Sequence, residues 1–448
     1  KIKQGTDMKK MMIAAILIVI LAGVGTPFVN GLVMERIVKQ SFGDINQLSV
    51  DAGSDFSIEI NQYNRNFSSS QIVWKIKSDA LKSLYGVEEI VFVDHVDHGI
   101  TGIVSTTSLE ENKWFKSFVN KKLNGKNPLK IKTEYKLSGN IDSTISLDAF
   151  SFKDGSDVIA MMPGKLLIKF DKGLKNILSE MIWEGCSVSQ KLRVDQLSFD
   201  SKIKKISTYI WEGNLAFKIK NIKVDDEKEQ IDITNLMCGY ALDYNKADSS
   251  LSVEMEYGID NFKTRLDTIN DAFARIRLNR IDAQGYENFM KTYSQLINDI
   301  MDDIAASRHD PDIIKKTIEK KMASIGLQMV GVYEKFLKQG FEIQISDVRA
   351  QLPQGKIKGD ITLALKKDMT MTQFIPILIQ PSAALDIFLL KSCVSLPYEL
   401  AGDNQWLLTP VYPGMQTGLF IKDGDHLIHK AETSDGKLIL NGKEMLLN

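Results

Sequence analysis

Residues 251–257 read LSVEMEY, which puts Leu251, Val253, Met255 and Tyr257 on one side of the chain and Ser252, Glu254 and Glu256 on the other. A period of two is the geometry of a β-strand, and one apolar face opposite one wetted face implies antiparallel pairing, because parallel sheets are covered on both sides. The same alternation recurs in LAFKIK at 215–220, FEIQI at 341–345 and ITLAL at 361–365. Turn signals join successive runs: SGN at 138–140 lies between KIKTEYKL and STISLDAF, and PQGK occupies 353–356. No strand–helix rhythm of the kind that builds a parallel sheet is present. The sequence predicts an α+β chain whose body is curved antiparallel sheet.

In the middle the period changes. Tyr286, Phe289, Met290, Tyr293, Leu296, Ile297, Ile300 and Ile304 follow helical spacing. After a break at 307–312, in which Asp310 can cap a helix and Pro311 suits its first position, a second apolar stripe runs from Ile314 to Phe336 and Gly340 ends it. This predicts an inserted helical hairpin. Farther on, Pro376, Pro381 and Lys391 interrupt an apolar run, which reads as a buried helix from about Ser382 rather than a membrane span. The ending LIHKAETSDGKLILNGKEM predicts a hairpin turning at Ser434–Gly436, with a second turn at Asn441–Gly442.

From Met11 to Val29, nineteen residues without charge follow Lys9 and Lys10. That length suffices to cross a hydrocarbon core of roughly 30 Å as a helix. An uncleaved signal anchor, a cleaved signal peptide and a buried core helix all fit such a run. No convincing A-x-A-like cleavage site follows, which favours the anchor. With Lys1, Lys3, Lys9 and Lys10 before the span, the N-terminus would lie in the cytoplasm and the body outside. The expected organisation is a cytoplasmic N-terminus at 1–10 and a transmembrane signal anchor at 11–33. A β-rich periplasmic region at 34–265 and a helical region at 266–340 follow. Strands, the buried helix and the terminal hairpin fill 341–448.

Composition narrows the function classes. The chain has 448 residues, 44% hydrophobic and 25% charged, which is globular rather than disordered. Lys+Arg 56 against Asp+Glu 57 leaves a net charge of -1, so no global field attracts nucleic acid. Cys186, Cys238 and Cys393 lie far apart and read as small buried hydrophobes rather than a zinc site.

VDHVDHGITG at 93–102 holds two histidines and two aspartates, but the preceding EEIVFVD is strand-like. Residues three apart on a strand face opposite ways, so His95 and His98 would not converge on a metal. GCSVS at 185–189 lacks the second glycine of a nucleophile elbow, and Gly164-Lys165 lacks the rest of a phosphate loop. Asn66-Phe67-Ser68 matches a glycosylation sequon, relevant only in a glycosylating pathway. No catalytic residue, metal site or cofactor is expected.

Several pieces in order resemble the YdgA-like family, bacterial envelope proteins of unknown function. YNRNFSSS supplies Tyr63, Arg65, Ser69 and Ser70, departing from the family run at Asn66 for glycine and Ser68 for phenylalanine. His98-Gly99 follows a strand, with Ile100 where proline is usual, and DGKLILNGKEM supplies Asp435, Gly436, Asn441 and Gly442. The resemblance implies a Gram-negative inner-membrane protein with a single N-terminal span, a periplasmic body and motif residues of structural rather than catalytic role. A distant likeness of architecture to AsmA-like proteins adds lipid shelter by analogy alone. The expected function is a non-catalytic envelope scaffold or a binder of lipid or another hydrophobic ligand, possible as a homo-oligomer. The alternative is an anchored periplasmic hydrolase with an unrecognised site.

Overall fold

The computed structural model describes residues 3–51, 54–79, 81–82, 86–100, 102–109, 111–226, 230–306, 334, 338–370, 381–401 and 411–445; the side chains of 3–25, 28, 295–306, 381 and 411–412 lie outside that description. It comprises two compact units. One holds Lys1–Phe152, Met162–Glu180 and Met301–His309; the other holds Lys153–Met161, Met181–Ile300 and Asp310–Asn448.

In the first unit the strands are β1 (Ser57–Arg65), β2 (Ser69–Lys77), β3 (Glu89–His98), β4 (Ile103–Ser108), β5 (Leu129–Tyr135) and β6 (Ile141–Leu147). Each pairs antiparallel with its neighbour in sequence. The chain then passes through β7 (Phe150–Asp154), which leaves this unit after Phe152, and β8 (Asp157–Met161), which belongs to the second unit, before β9 (Gly164–Phe170) returns to pair antiparallel with β6. A helix over Lys3–Asp51 packs on this sheet, with Met34 and Val38 fully buried against Ile72, Val96, Ile103 and Tyr135. A short helix, Lys113–Lys122, adds Phe115 and Val119, and the Asn112 side chain ties its start to both backbone groups of Val91 at 2.8 and 2.6 Å.

The second unit is built on longer strands. β10 (Asn176–Val188) enters it at Met181, and β11 (Leu192–Lys205), β12 (Trp211–Asp225), β13 (Gln230–Asn245), β14 (Ser250–Thr264) and β15 (Thr268–Asp282) follow. From β11 onward they form an antiparallel meander. A helix, Ala283–Ala306, interrupts it. The order resumes with β16 (Glu342–Leu352), β17 (Gly355–Leu365) and β18 (Phe388–Pro397). β19 (Ile421–Asp423), β20 (His426–Ser434), β21 (Lys437–Leu440) and β22 (Lys443–Met445) end the chain. β20 pairs with β18, β19 and β21.

Register converts the alternation of single strands into two-faced sheet. Leu215, Tyr240, Met255, Ile276, Ile345 and Ile361 are successive cross-strand partners from β12 to β17. A second row joins Leu242, Val253, Leu278, Ile343, Leu363 and Leu390. One residue over, on the opposite face, lie Glu254, Arg277, Gln344, Thr362 and Lys391. Here Arg277 pairs with Glu254, and Arg275 with Glu256 at 2.7 Å and with Asp347.

Four expectations need correction. Among the described residues no helix is long and apolar enough to cross a membrane, which removes the transmembrane signal anchor over 11–33 from the fold. The side chains of 11–25 lie outside the described part. From Asn30 the helix covers the sheet instead, with Asn30, Gly31, Met34 and Val38 buried and the charged Glu35, Arg36 and Lys39 interspersed from residue 35 on. The buried helix from Ser382 is also absent: Pro381–Asp386 is a 3-10 turn and Phe388–Pro397 is strand β18. The edges of β17 and β20 accept that segment, whose period-two alternation is masked by its overall hydrophobicity. Strand β15 occupies the start of the stretch expected to be helical, 266–340. None of the cysteines is a buried hydrophobe: Cys186 and Cys238 are half-buried and Cys393 is exposed. The first helix of the expected hairpin is present, whereas its second, 314–336, lies outside the described residues save Glu334.

Leu251 is fully buried under Tyr244, Ile281 and Tyr286. Leu251→Ala should cost about 2–5 kcal/mol of stability in urea unfolding. Ser252→Ala, on the opposite face, should change it by no more than about 0.5 kcal/mol.

Candidate functional site

Two places gather the side chains worth testing: the helix-covered patch of the first unit and the apolar face of the second.

In the first, β3 turns Asp94, Val96 and His98 inward and leaves His95 and Asp97 exposed. The two histidines of VDHVDHGITG therefore face opposite ways. Asp94 accepts hydrogen bonds from Trp74 Nε1 at 3.0 Å and Thr107 Oγ1 at 2.6 Å. Burial nevertheless holds its carboxyl above the usual range. His98 Nε2 lies 3.0 Å from Ser70 Oγ. Its Nδ1, the Tyr63 hydroxyl and the Ser105 hydroxyl are buried with no hydrogen-bond partner among the described residues. Burial, and then the Arg65 guanidinium, push the His98 pKa down, while burial pushes the Tyr63 phenol up.

The N-terminal helix closes this patch. Asn30 Nδ2 donates to the Gly99 carbonyl at 2.6 Å, and Glu35 accepts from Arg65 Nη1 at 3.2 Å. Gly31 meets the histidine face on: a Cβ there would stand 2.6 Å from His98 Cε1 and 2.7 Å from Nδ1. Thus Tyr63, Arg65, Ser70, His98 and Gly99, scattered over 37 positions of sequence, meet at one helix contact. Ser69 does not join them; its carbonyl accepts the Asn66 amide at 2.8 Å and closes the β1–β2 hairpin. Sequence reasoning missed Asn30, Gly31 and Glu35, which were absorbed into or beside the expected anchor. The polar Asn-Gly pair closing an uncharged run was the available signal.

Asp435, Gly436, Asn441 and Gly442 lie in the second unit and make turns. All four have positive φ, of 50°, 73°, 49° and 80°, the pairing that tight two-residue hairpins require. Asn441 also accepts the Lys430 amide at 2.8 Å and donates to the Gly418 carbonyl at 2.9 Å. These four motif residues therefore shape the turns of the terminal hairpins.

A second serine–histidine pair occurs on neighbouring strands: Ser392 Oγ lies 2.7 Å from His429 Nε2, and His429 Nδ1 lies 3.0 Å from the Leu419 carbonyl oxygen. Ser70 is 4% exposed and Ser392 7%. A nucleophile must reach its substrate, and neither hydroxyl does as packed. Among the described residues no group of three His, Cys, Asp or Glu side chains could hold a metal ion.

The apolar face of the second unit is different, because the described residues cover it incompletely. Leu215, Tyr240, Met255, Ile276 and Ile345 are each half-buried, while Ile361 is 38% exposed and Tyr257, in the adjoining row with Phe217, is 46% exposed. Tyr286 of the following helix packs at one end beside Tyr240, and burial raises both phenols, so both are neutral there.

A family model described as a bacterial protein of unknown function (DUF945) matches residues 8–448. No curated protein and no solved structure matches the chain.

Two outcomes test the helix contact. Gly31→Ala would gain about 1 kcal/mol of helix propensity, but overpacking against a buried ring costs about 1–3 kcal/mol, so urea unfolding should show a net loss. For pH, a depressed His98 pKa means that the unfolded chain binds the proton first as pH falls below about 6.5. The stabilisation is complete above that value and is lost as pH falls toward the folded-state pKa. His98→Gln should flatten the wild-type decline in stability across that window; parallel pH profiles would contradict it.

Proposed function

The chain belongs to the DUF945 family of bacterial proteins of unknown function, and within it we propose a non-catalytic protein that binds lipid acyl chains on the apolar face of its long-stranded sheet. One observation carries this: the row Leu215–Tyr240–Met255–Ile276–Ile345–Ile361, unbroken by any charge across six strands and only partly buried at each position. Five inter-strand spacings of about 4.8 Å make it roughly 24 Å long, a length suited to an extended acyl tail. Each buried CH₂ would contribute about 0.8 kcal/mol. A contiguous apolar surface of this kind, rimmed by charge, is the usual mark of a binding surface.

A lipid ligand fits an envelope role, and the narrower YdgA-like assignment and a periplasmic location belong to the same proposal. What supports them is the set of motif residues from Tyr63 to Gly442.

Native mass spectrometry of the full chain, released gently from its expression host, should find bound lipid. Tyr257→Glu combined with Ile361→Glu places charge on two already exposed positions and should leave the melting temperature unchanged. It should weaken uptake of a photo-crosslinkable fatty acid about tenfold, the equivalent of 1.4 kcal/mol. Lipid-free wild-type protein that takes up no fatty acid would refute the reading.

A further inference from the structure

The wet face of the same unit carries a second feature. Pairing between β11 and β12 passes from Asp195↔Asn221 to Leu197↔Ile219, skipping Gln196 and Lys220. The next ladders skip Lys220 and Asn235, then Asn235 and Leu236 opposite Ile259 and Asp260, then Asp260 and Asp271. The skipped positions form one line across five strands. On alternate strands of that line, Gln196, Asn235 and Asp271 have φ of +41°, +52° and +46°. Left-handed backbone at a residue with a side chain costs about 1–2 kcal/mol, and such strain persists where a structure has a use for it. The result is a crease in the sheet, holding a cavity of about 400 Å³.

The lining is mixed. Lys218 and Lys220 project from one face of β12, with Ser198, Gln196 and Asn235 around them and Asp260 opposite, and the apolar Ile219, Leu236 and Met237 complete the wall. Two residues along a strand separate the lysines by about 7 Å at the backbone. Among the described residues neither lysine has an ion pair, although lysines on the neighbouring sheet surface do, such as Lys223 with Asp232 at 3.4 Å and Lys204 with Glu212 at 3.5 Å. Asp260 Oδ2 accepts from Asn235 Nδ2 at 2.6 Å, which leaves carboxylate lone pairs free to accept a hydroxyl.

We propose that the crease is a binding site for a phosphate ester that also carries hydroxyls, as glycerol phosphate, a sugar phosphate or a glycerol phosphodiester headgroup does. Two ammonium groups bracket the phosphate as point charges. Ser198 and Gln196 can donate to its oxygens, and Asp260 accepts from the polyol. A bare phosphate satisfies the lysines but meets Asp260 as a like charge, so the polyol is favoured. The site lies on the face opposite the apolar rows and stands or falls independently of acyl-chain binding.

Calorimetric titration of the full chain with glycerol phosphate, with inorganic phosphate, and with phosphatidylcholine vesicles containing phosphatidylglycerol tests this. Glycerol phosphate should bind more tightly than inorganic phosphate. Lys218→Ala with Lys220→Ala should weaken it about tenfold or more, 1.4 kcal/mol or above. Asp260→Asn should erase the preference over inorganic phosphate, and Lys223→Ala should change nothing. Vesicle binding that the double lysine variant loses identifies a lipid headgroup as the source; binding of the soluble ester alone identifies a free metabolite, and either supports the site. The proposal is overturned if wild type and the double variant bind glycerol phosphate equally, if neither ester nor vesicle binds at millimolar concentration, or if Lys223→Ala weakens binding as much.

Discussion

Antiparallel register is the constraint on which the second unit depends. Strands of 14–16 residues, from β11 to β15, each alternate imperfectly between apolar and polar side chains. Only when the ladder sets Tyr240 against Met255, and Met255 against Ile276, do these become continuous rows. A slip of one residue would bring Glu254 and Arg277 onto the apolar side. The Glu254–Arg277 and Glu256–Arg275–Asp347 ion pairs, exposed and therefore weak individually, oppose such a slip because they form only in this register.

Where the rows stop being regular, the chain acquires concavity. The line of left-handed residues through Gln196, Asn235 and Asp271 sacrifices ladder pairing on five strands at one level. An uninterrupted ladder would hold Lys218 and Lys220 on an ordinary pleated surface. At the crease they share a cavity with amide, hydroxyl and carboxylate groups drawn from three other strands.

In the first unit, tight packing at a single point does comparable work. His98 is held between Ser70 on its own sheet and Gly31 on the covering helix, and no other residue type fits at position 31 without displacing the ring. The Tyr63 hydroxyl, His98 Nδ1 and the Ser105 hydroxyl, buried with no partner among the described residues, each cost about 1–3 kcal/mol unless water reaches them. Met34, Val38, Ile72, Val96 and Ile103 supply the apolar contact that offsets this.

Local pattern was legible wherever it is sufficient by itself. LSVEMEY, LAFKIK, FEIQI and ITLAL are strands, the Asp435-Gly436 and Asn441-Gly442 pairs are tight turns, and the helix beginning near Tyr286 is present. The opposed faces of His95 and His98 also follow from a strand's period of two. Hydrophobicity without partners was ambiguous. The run ending at Val29 says nothing of Asn30 reaching Gly99, and FLLKSCV becomes strand β18 because β17 and β20 offer it hydrogen-bonding edges on both sides. Sequence alone determined which residues share a face, because that is set by backbone geometry within one element. Tertiary structure decided which faces are covered, where the crease runs and that Gly31 meets His98, because these depend on register and packing between segments far apart in the chain.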